Sequence, residues 1–232
     1  MIRLSKQTEM LRALAKSWRE ILPSDVRFEI AQSSDYTSEL SALEREAVKD
    51  ARKKRLEEFS AGRHLLKKIL SSMRVSYSDL TVNSNGSVKA PSGITCTISH
   101  SGGLVFAAAA QKSSFKSIGA DMELLNDIDA EDLKNFLPHR EYCQIVSDRS
   151  KQRAGISFSL RESVGKCFGN IEDRFMNFDE IILDYRNNGA VKILPNSNYM
   201  QKNFLRDSGV CFYYDYMVSN GFILTFFCIN FH

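Results

Sequence analysis

The 232-residue chain contains no long hydrophobic run. Nothing in it approaches the roughly 18 consecutive apolar residues that a membrane-spanning helix needs, so no membrane is expected as a partner. Charge of one sign is also scarce. Lys and Arg number 31 against 28 Asp and Glu, a net +3, which favours acidic partners weakly and does not demand nucleic acid. The five cysteines, Cys96, Cys143, Cys167, Cys211 and Cys228, include no C-x-x-C pair, which argues against a zinc site and a disulfide framework. Four of the five lie in apolar surroundings and are expected to be small core residues in a reducing, cytoplasmic setting. The first nine residues have no uninterrupted apolar core, so no secretory signal is expected. No internal sequence repeat is detectable. What is present, 43% hydrophobic and 25% charged residues, suits a soluble globular chain of one large or two small domains.

Apolar periodicity orders the elements. Met10, Leu11, Leu14, Trp18, Ile21 and Leu22 recur at helical spacing up to Pro23. A weakly alternating strand is expected over 26–31. Ser41-x-x-Glu44 is a capping box that opens a long helix from Ala42 to about Met73. Turns at Asn85-Gly86 and Pro91-Ser92-Gly93 precede a hairpin whose strands run over 94–100 and 104–110. A strand over Ser117–Leu124 leads to an acidic linker at 126–132. A helix over 133–147, broken at Pro138, and another over 158–168 follow. Strands are expected over 180–185, 190–194, 210–218 and 222–229, with a hairpin turn at Ser219-Asn220-Gly221. Each half thus carries a helix with a charged motif and then a turn-marked hairpin.

The candidate chemistry begins on the alternating stretch Ser117–Leu124. Asp121 and Glu123 are two apart, so they project from one face. Like charges that close are costly unless a cation or a proton intervenes, and Mg2+ favours such carboxylate oxygens. A solvated strand face is the plainer reading. Glu162 and Lys166 share a helix face at i,i+4, adding a third carboxylate and an ammonium. Ser159-x-x-Glu162 also fits a capping box, which would spend Glu162 on the helix N-terminus. In the earlier helix, Arg63 falls within the apolar stripe of Leu56, Phe59, Leu66, Leu70 and Met73, with Arg55 at its edge. A buried arginine needs an anion; Glu58 or a phosphate would serve. The run Arg52-Lys53-Lys54-Arg55 reads first as a solvated basic face. His100 closes the strand Ile94–Ser99 and has a structural as well as a functional reading.

These motifs also occur in a family-like order and wording. Gly119-Ala120-Asp121-Met122-Glu123, followed by Phe158-Ser159-Leu160-Arg161-Glu162-Ser163-Val164-Gly165-Lys166, resembles the paired signatures of 4'-phosphopantetheinyl transferases, Gly-Ile-Asp-x-Glu and Phe-Ser-x-Lys-Glu-Ser/Ala-x-x-Lys. Ala120 replaces the usual isoleucine and Arg161 the usual lysine. Arg55-x-x-Glu58-Phe59-x-x-Gly62-Arg63 resembles that family's element for the 3'-phosphate of coenzyme A. Pro91-x-Gly93 through Ile98-Ser99-His100-Ser101 resembles its third signature, with Ala90 where a tryptophan is usual.

The resemblance covers roughly Arg55 to Lys166 and implies the monomeric, two-half class of the family. The implied fold is α+β: two similar halves, 1–115 and 116–232, related by a pseudo-twofold with the active site in the cleft between them. The implied activity moves the phosphopantetheine arm of coenzyme A to a serine of an apo acyl or peptidyl carrier protein. Asp121, Glu123 and Glu162 would hold Mg2+, Glu162 and Lys166 would be catalytic, and Arg55, Arg63, Lys89, Ser99 and His100 would hold coenzyme A. Fatty-acid, polyketide, peptide-synthetase and siderophore carriers all remain open. Two other classes are weighed: a non-catalytic coenzyme A or carrier-protein binding module, and a nucleic-acid binder using 52–55. The first should lack one of Asp121, Glu123, Glu162 or Lys166, and all four are here. The second leaves the three carboxylates without a role.

Overall fold

The computed structural model describes residues 2–147, 151–172, 174–186, 190–205 and 210–231. Helix α1 (Ile2–Arg19) buries Leu14 and Trp18. Arg19 then donates to the carbonyls of Leu22 and Val26, closing the turn into strand β1 (Arg27–Gln32). The capping box at Ser41 forms as its sequence dictates, with Ser41 Oγ accepting from Glu44 N–H and Glu44 accepting from Ser41 N–H.

The helix it opens does not reach Met73. Instead α2 (Ala42–Glu46) stops and α3 (Lys53–Ser72) begins after Arg52, which is extended. Residues 47–52 contain no glycine or proline. The break is tertiary: it folds Val48 back onto Leu40 and Phe59 in a small apolar cluster.

Strands β2 (Ile94–Ser101) and β3 (Leu104–Gln111) make the expected hairpin. Strand β4 (Phe115–Leu124) carries the two carboxylates. Helix α4 (His139–Ser147) starts directly after Pro138, and only a short 3-10 turn (Glu131–Leu133) precedes it. Helix α5 (Lys151–Glu172) starts seven residues before the expected Phe158 (158 less 151). Strands β5 (Ile181–Tyr185) and β6 (Val191–Pro195), helix α6 (Asn198–Leu205), and strands β7 (Val210–Ser219) and β8 (Phe222–Phe231) complete the chain; α6 was not foreseen. Among the described residues, no helix is long and apolar enough to cross a membrane.

The fold is α+β, and one layout occurs twice. In the first half a strand, a helix and a hairpin give the antiparallel sheet β1-β3-β2; in the second they give β4-β8-β7. In each sheet the leading strand pairs with the second strand of the hairpin. The long helix of each half packs on its own sheet. Ala61, Leu65, Leu66, Ile69 and Leu70 of α3 meet Val105, Ala107 and Ala109. Leu160, Val164, Cys167 and Phe168 of α5 meet Ile223, Phe227 and Ile229. A further core joins the halves: α1 lies over β3, β4 and β8, with Trp18, Phe106, Ile118, Met122 and Phe226 fully buried. Three of the cysteines, Cys96, Cys167 and Cys228, are buried rather than four, and Cys143 and Cys211 are exposed; all five are free thiols.

Candidate active site

Gly119 fixes how closely helix α5 lies on strand β4. A Cβ there would come within 2.0 Å of the Ser163 carbonyl oxygen and 2.6 Å of Cys167 N, separations that real Cβ atoms do not adopt. That close approach brings Lys166 to Asp121, with Nζ 2.6 Å from Oδ1. The same carboxylate oxygen accepts from Ser99 Oγ at 2.7 Å. Asp121 is 2% exposed, and its other oxygen, Oδ2, has no hydrogen-bond partner. Buried carboxylate oxygens are rarely left so.

Glu123 stands beside Asp121. Burial, and then the Asp121 charge, push its carboxyl up to about 7, against smaller lowering effects from Ser101 and Lys166. Burial also raises Glu162, partly offset by Lys166. The ammonium of Lys166 therefore acts on all three carboxylates. The capping reading of Glu162 is overturned. Ser159 lies well inside α5, is fully buried, and its hydroxyl bonds the Asp121 carbonyl and Thr225 Oγ1. Glu162 has no helix end to cap.

The first half supplies a cationic cluster. Arg55 Nη1 lies 2.9 Å from His100 Nε2, so the imidazole accepts on that side. His100 Nδ1 is then 3.4 Å from Glu58 Oε2. Burial lowers the His100 pKa, with Glu58 raising it and Arg55 and Lys166 lowering it further. A neutral ring fits this pattern, because a guanidinium does not accept a proton from it. Arg63 is 4% exposed; its guanidinium stacks 4.1 Å from the Phe59 centroid, and Nε donates to Leu80 O at 2.6 Å. Burial brings it down to about 10. Glu58 is not its partner: among the described residues no carboxylate lies within ion-pair distance of Arg63, and Glu58 faces His100 and Lys54.

The two clusters face one cavity of about 480 Å3, lined by Arg55, Arg63, Ser99, His100, Asp121, Glu123, Glu162 and Lys166. Lys89 does not line it. Lys89 is exposed, while its neighbour Val88 points in. Ser99 lines the cavity with its hydroxyl fully used: it donates to Asp121 and accepts from Met122 N–H and Lys166. A hydroxyl offers one donor and two acceptors, so none is left for a ligand.

Three lining residues escaped the sequence reading. Asn85, recognised there as a turn former, donates to the Gly169 carbonyl across the cavity mouth. Asn170 donates to the carbonyls of Cys96 and Ile118. Arg174 forms a two-pronged pair with Glu180. No local signal marks Asn170 or Arg174, since their roles depend on partners from distant segments.

Residues 43–110, from the start of α2 to the end of β3, match the family model described as the 4'-phosphopantetheinyl transferase N-terminal domain. The matched segment supplies Arg55, Arg63, Ser99 and His100. No curated protein matched the chain. Among solved structures, the chain is similar to the Chronobacterium ammoniagenes ACPS–CoA complex (12% identity, covering 50% of this chain and 96% of that chain, TM-score 0.41). It is also similar to the Mycobacterium tuberculosis acyl carrier protein synthase (16%, 50% and 96%, TM-score 0.38). A third is the Helicobacter pylori holo-[acyl-carrier-protein] synthase in complex with coenzyme A (20%, 49% and 99%, TM-score 0.38).

Proposed function

We propose that this protein is a 4'-phosphopantetheinyl transferase, acting as a monomer whose halves, 1–115 and 116–232, each supply one wall of the site. The observation that carries this reading is the single cavity between an arginine–histidine cluster and a carboxylate–lysine cluster. A coenzyme A molecule carries two groups of anions that suit such a pair of walls: a 3'-phosphate and a pyrophosphate. The matched transferase domain supports the same assignment for the first wall.

Arg63 and Arg55 present guanidinium groups to the 3'-phosphate, the ligand for which planar forked donors are best shaped. His100, neutral against Arg55, holds that guanidinium at the same wall through Nε2. Lys166 meets the pyrophosphate. Asp121 and Glu123 suit a hard divalent cation: Asp121 Oδ2 is buried and unpartnered, and the proton affinity of Glu123 is raised by burial and then by the Asp121 charge. Glu162 is the third carboxylate on the same cavity, and among the described residues no group of three His, Cys, Asp or Glu side chains is placed to hold a metal ion by itself. The pair would rely on phosphate oxygens for the remaining ligands, as Mg2+ commonly does. Such an ion, held by Asp121 and Glu123, would supply positive charge against the pyrophosphate.

The reaction then divides among side chains of this chain. Glu162, held with a raised proton affinity by burial, accepts the proton of the carrier serine. The serine oxygen forms a bond to the phosphorus that bears the pantetheine arm. The bond from that phosphorus to the bridging oxygen breaks, and adenosine 3',5'-bisphosphate leaves with the electron pair. Lys166 balances the charge on that leaving phosphate. Incubation with coenzyme A, Mg2+ and a panel of apo acyl and peptidyl carrier proteins tests the reading. A carrier that gains the mass of one phosphopantetheine arm is expected, with turnover lost after chelation. Tight coenzyme A binding without modification of any carrier would instead indicate a binding module.

A further inference from the structure

The two sheets meet along strands β2 and β4, yet these strands share no backbone ladder; the sheets are β1-β3-β2 and β4-β8-β7. Four hydroxyls on one face of β2 take the place of a ladder. Thr95 Oγ1 accepts from Ile118 N–H at 3.1 Å, Thr97 Oγ1 from Ala120 N–H at 3.1 Å, Ser99 Oγ from Met122 N–H at 3.1 Å, and Ser101 Oγ from Leu124 N–H at 3.0 Å. Each partner lies 23 residues on, so the strands run parallel in a constant register. Thr97 Oγ1 also donates back to the Ala120 carbonyl at 3.2 Å. Where the carbonyls of Cys96 and Ile118 lack a strand partner, the Asn170 amide bridges them at 2.9 and 3.0 Å.

A side-chain oxygen placed between two backbones holds them farther apart than the ~4.8 Å of a ladder. The seam is therefore a spacer. It is also buried: Thr95, Thr97 and Ser99 are at most 4% exposed and Ala120 is fully covered. Removing a hydroxyl would leave a buried N–H without a partner, or let the strands close toward a ladder. The seam runs under the cavity. Thr97, Ser99 and His100 of β2 and Asp121 and Glu123 of β4 all line it.

We propose that this hydroxyl seam sets the distance between the cationic cluster and the carboxylate cluster, and that Thr97 is a positioning residue for a ligand that spans both. The inference rests on the reading that coenzyme A reaches across the cavity. Thr97 touches no ligand in this account; it acts through the placement of Asp121 relative to His100. Small displacements of that kind are expensive in sites built for oriented groups.

Calorimetric binding of two probes to the full chain, in the presence of Mg2+, tests it. Coenzyme A spans the seam; adenosine 3'-phosphate needs only the cationic wall. Thr97→Val keeps the side-chain shape and removes both hydrogen bonds. It is expected to weaken coenzyme A about tenfold and to leave adenosine 3'-phosphate unchanged, with Thr97→Ser restoring the wild-type value. Thr95→Val, one step farther from the cavity, should have a smaller effect of the same kind and serves if Thr97→Val does not fold. Equal losses for both probes, or no loss for either, would overturn the seam proposal while leaving the transferase reading standing. A wild-type protein that binds neither probe would overturn both.

Discussion

Two buried arginines, Arg63 on α3 and Arg161 on α5, occupy corresponding places in the two halves. Each is the eleventh residue of its helix (53 to 63, 151 to 161), and each donates its Nε–H to a carbonyl 17 residues downstream, Leu80 or Phe178. Each half also has a buried glutamate on its short preceding helix, Glu44 or Glu141, that accepts a downstream backbone N–H. The two differ in what their forks meet. Arg161 spends both terminal nitrogens on Glu141, Ser157 and the Ile181 carbonyl. In the first half Lys67 takes the glutamate instead, at 2.8 Å. The fork of Arg63 then has no hydrogen-bond partner among the described residues and stands at the cavity wall. One layout thus yields a structural cation in one half and an anion-seeking one in the other. The lysine at 67 makes the difference.

The largest expected effect comes from breaking the saturated member. Arg161→Met leaves the Glu141 charge buried and unpaired, which costs about 3–5 kcal/mol. Denaturant unfolding should show this, and Arg161→Met combined with Glu141→Leu should recover much of it. Arg63→Met should cost far less stability, since its partners are one carbonyl and one ring. Equal losses at the two sites would remove the contrast between them.

Glu162→Gln comes next. It should lower turnover at least about a hundredfold, the lower end of general-base effects. The melting temperature should stay near native, because Glu162 caps nothing. A glutamine variant that retained most of its activity would remove Glu162 from the chemistry.

Arg63→Ala sharpens the comparison from the ligand side. Loss of a charge-assisted hydrogen bond costs roughly 1.5–3 kcal/mol, about ten- to a hundredfold in affinity. Coenzyme A binding should fall by that factor and binding of its 3'-dephospho form should hardly change. Identical losses for the two ligands would return Arg63 to a structural role like that of Arg161.

The smallest effect concerns pH. Glu123 holds its proton up to about 7, above the usual carboxylate range. The folded protein therefore binds more protons there than the unfolded chain does. The contribution of this group to stability is greatest below the ordinary carboxylate pKa and is lost as pH rises through about 7. Mg2+ should reverse the trend, since the ionised pair binds it. With coenzyme A present to supply phosphate oxygens, added Mg2+ should raise the melting temperature more at pH 8 than at pH 6, and Glu123→Gln should flatten that difference. A Mg2+ shift independent of pH would separate Glu123 from the cation.

Much of this was legible in the chain. Period-two alternation marked β2 and β4, a wholly apolar run after a turn marked β3, and the spacing of Asp121, Glu123, Glu162 and Lys166 identified groups that the structure brings to one cavity. The misreadings share a cause. Ser159 looked like a cap because its hydroxyl and Glu162 have cap spacing, but the helix had already begun at Lys151, and the hydroxyl serves Asp121 and Thr225. The helix expected through residues 47–52 stops at Glu46, and Val48 folds back onto Leu40 and Phe59, contacts that lie outside the local sequence. Lys89 was placed by analogy with a neighbouring motif, and the strand-like segment around Val88 turns it outward.

The amino-acid sequence determined the local elements and the identity of the charged groups, because periodicity and side-chain chemistry act over a few residues. The alternation Thr95-x-Thr97-x-Ser99-x-Ser101 was there to be seen as well, but its meaning was not. A row of hydroxyls becomes a spacer only when a second strand, 23 residues on, offers its N–H groups in register. Likewise no local rule tells Arg63 from Arg161. Tertiary structure decided that, because the fate of a buried charge depends on which distant carboxylate reaches it first: Glu141 reaches Arg161, whereas Lys67 holds Glu44 and leaves Arg63 facing the cavity.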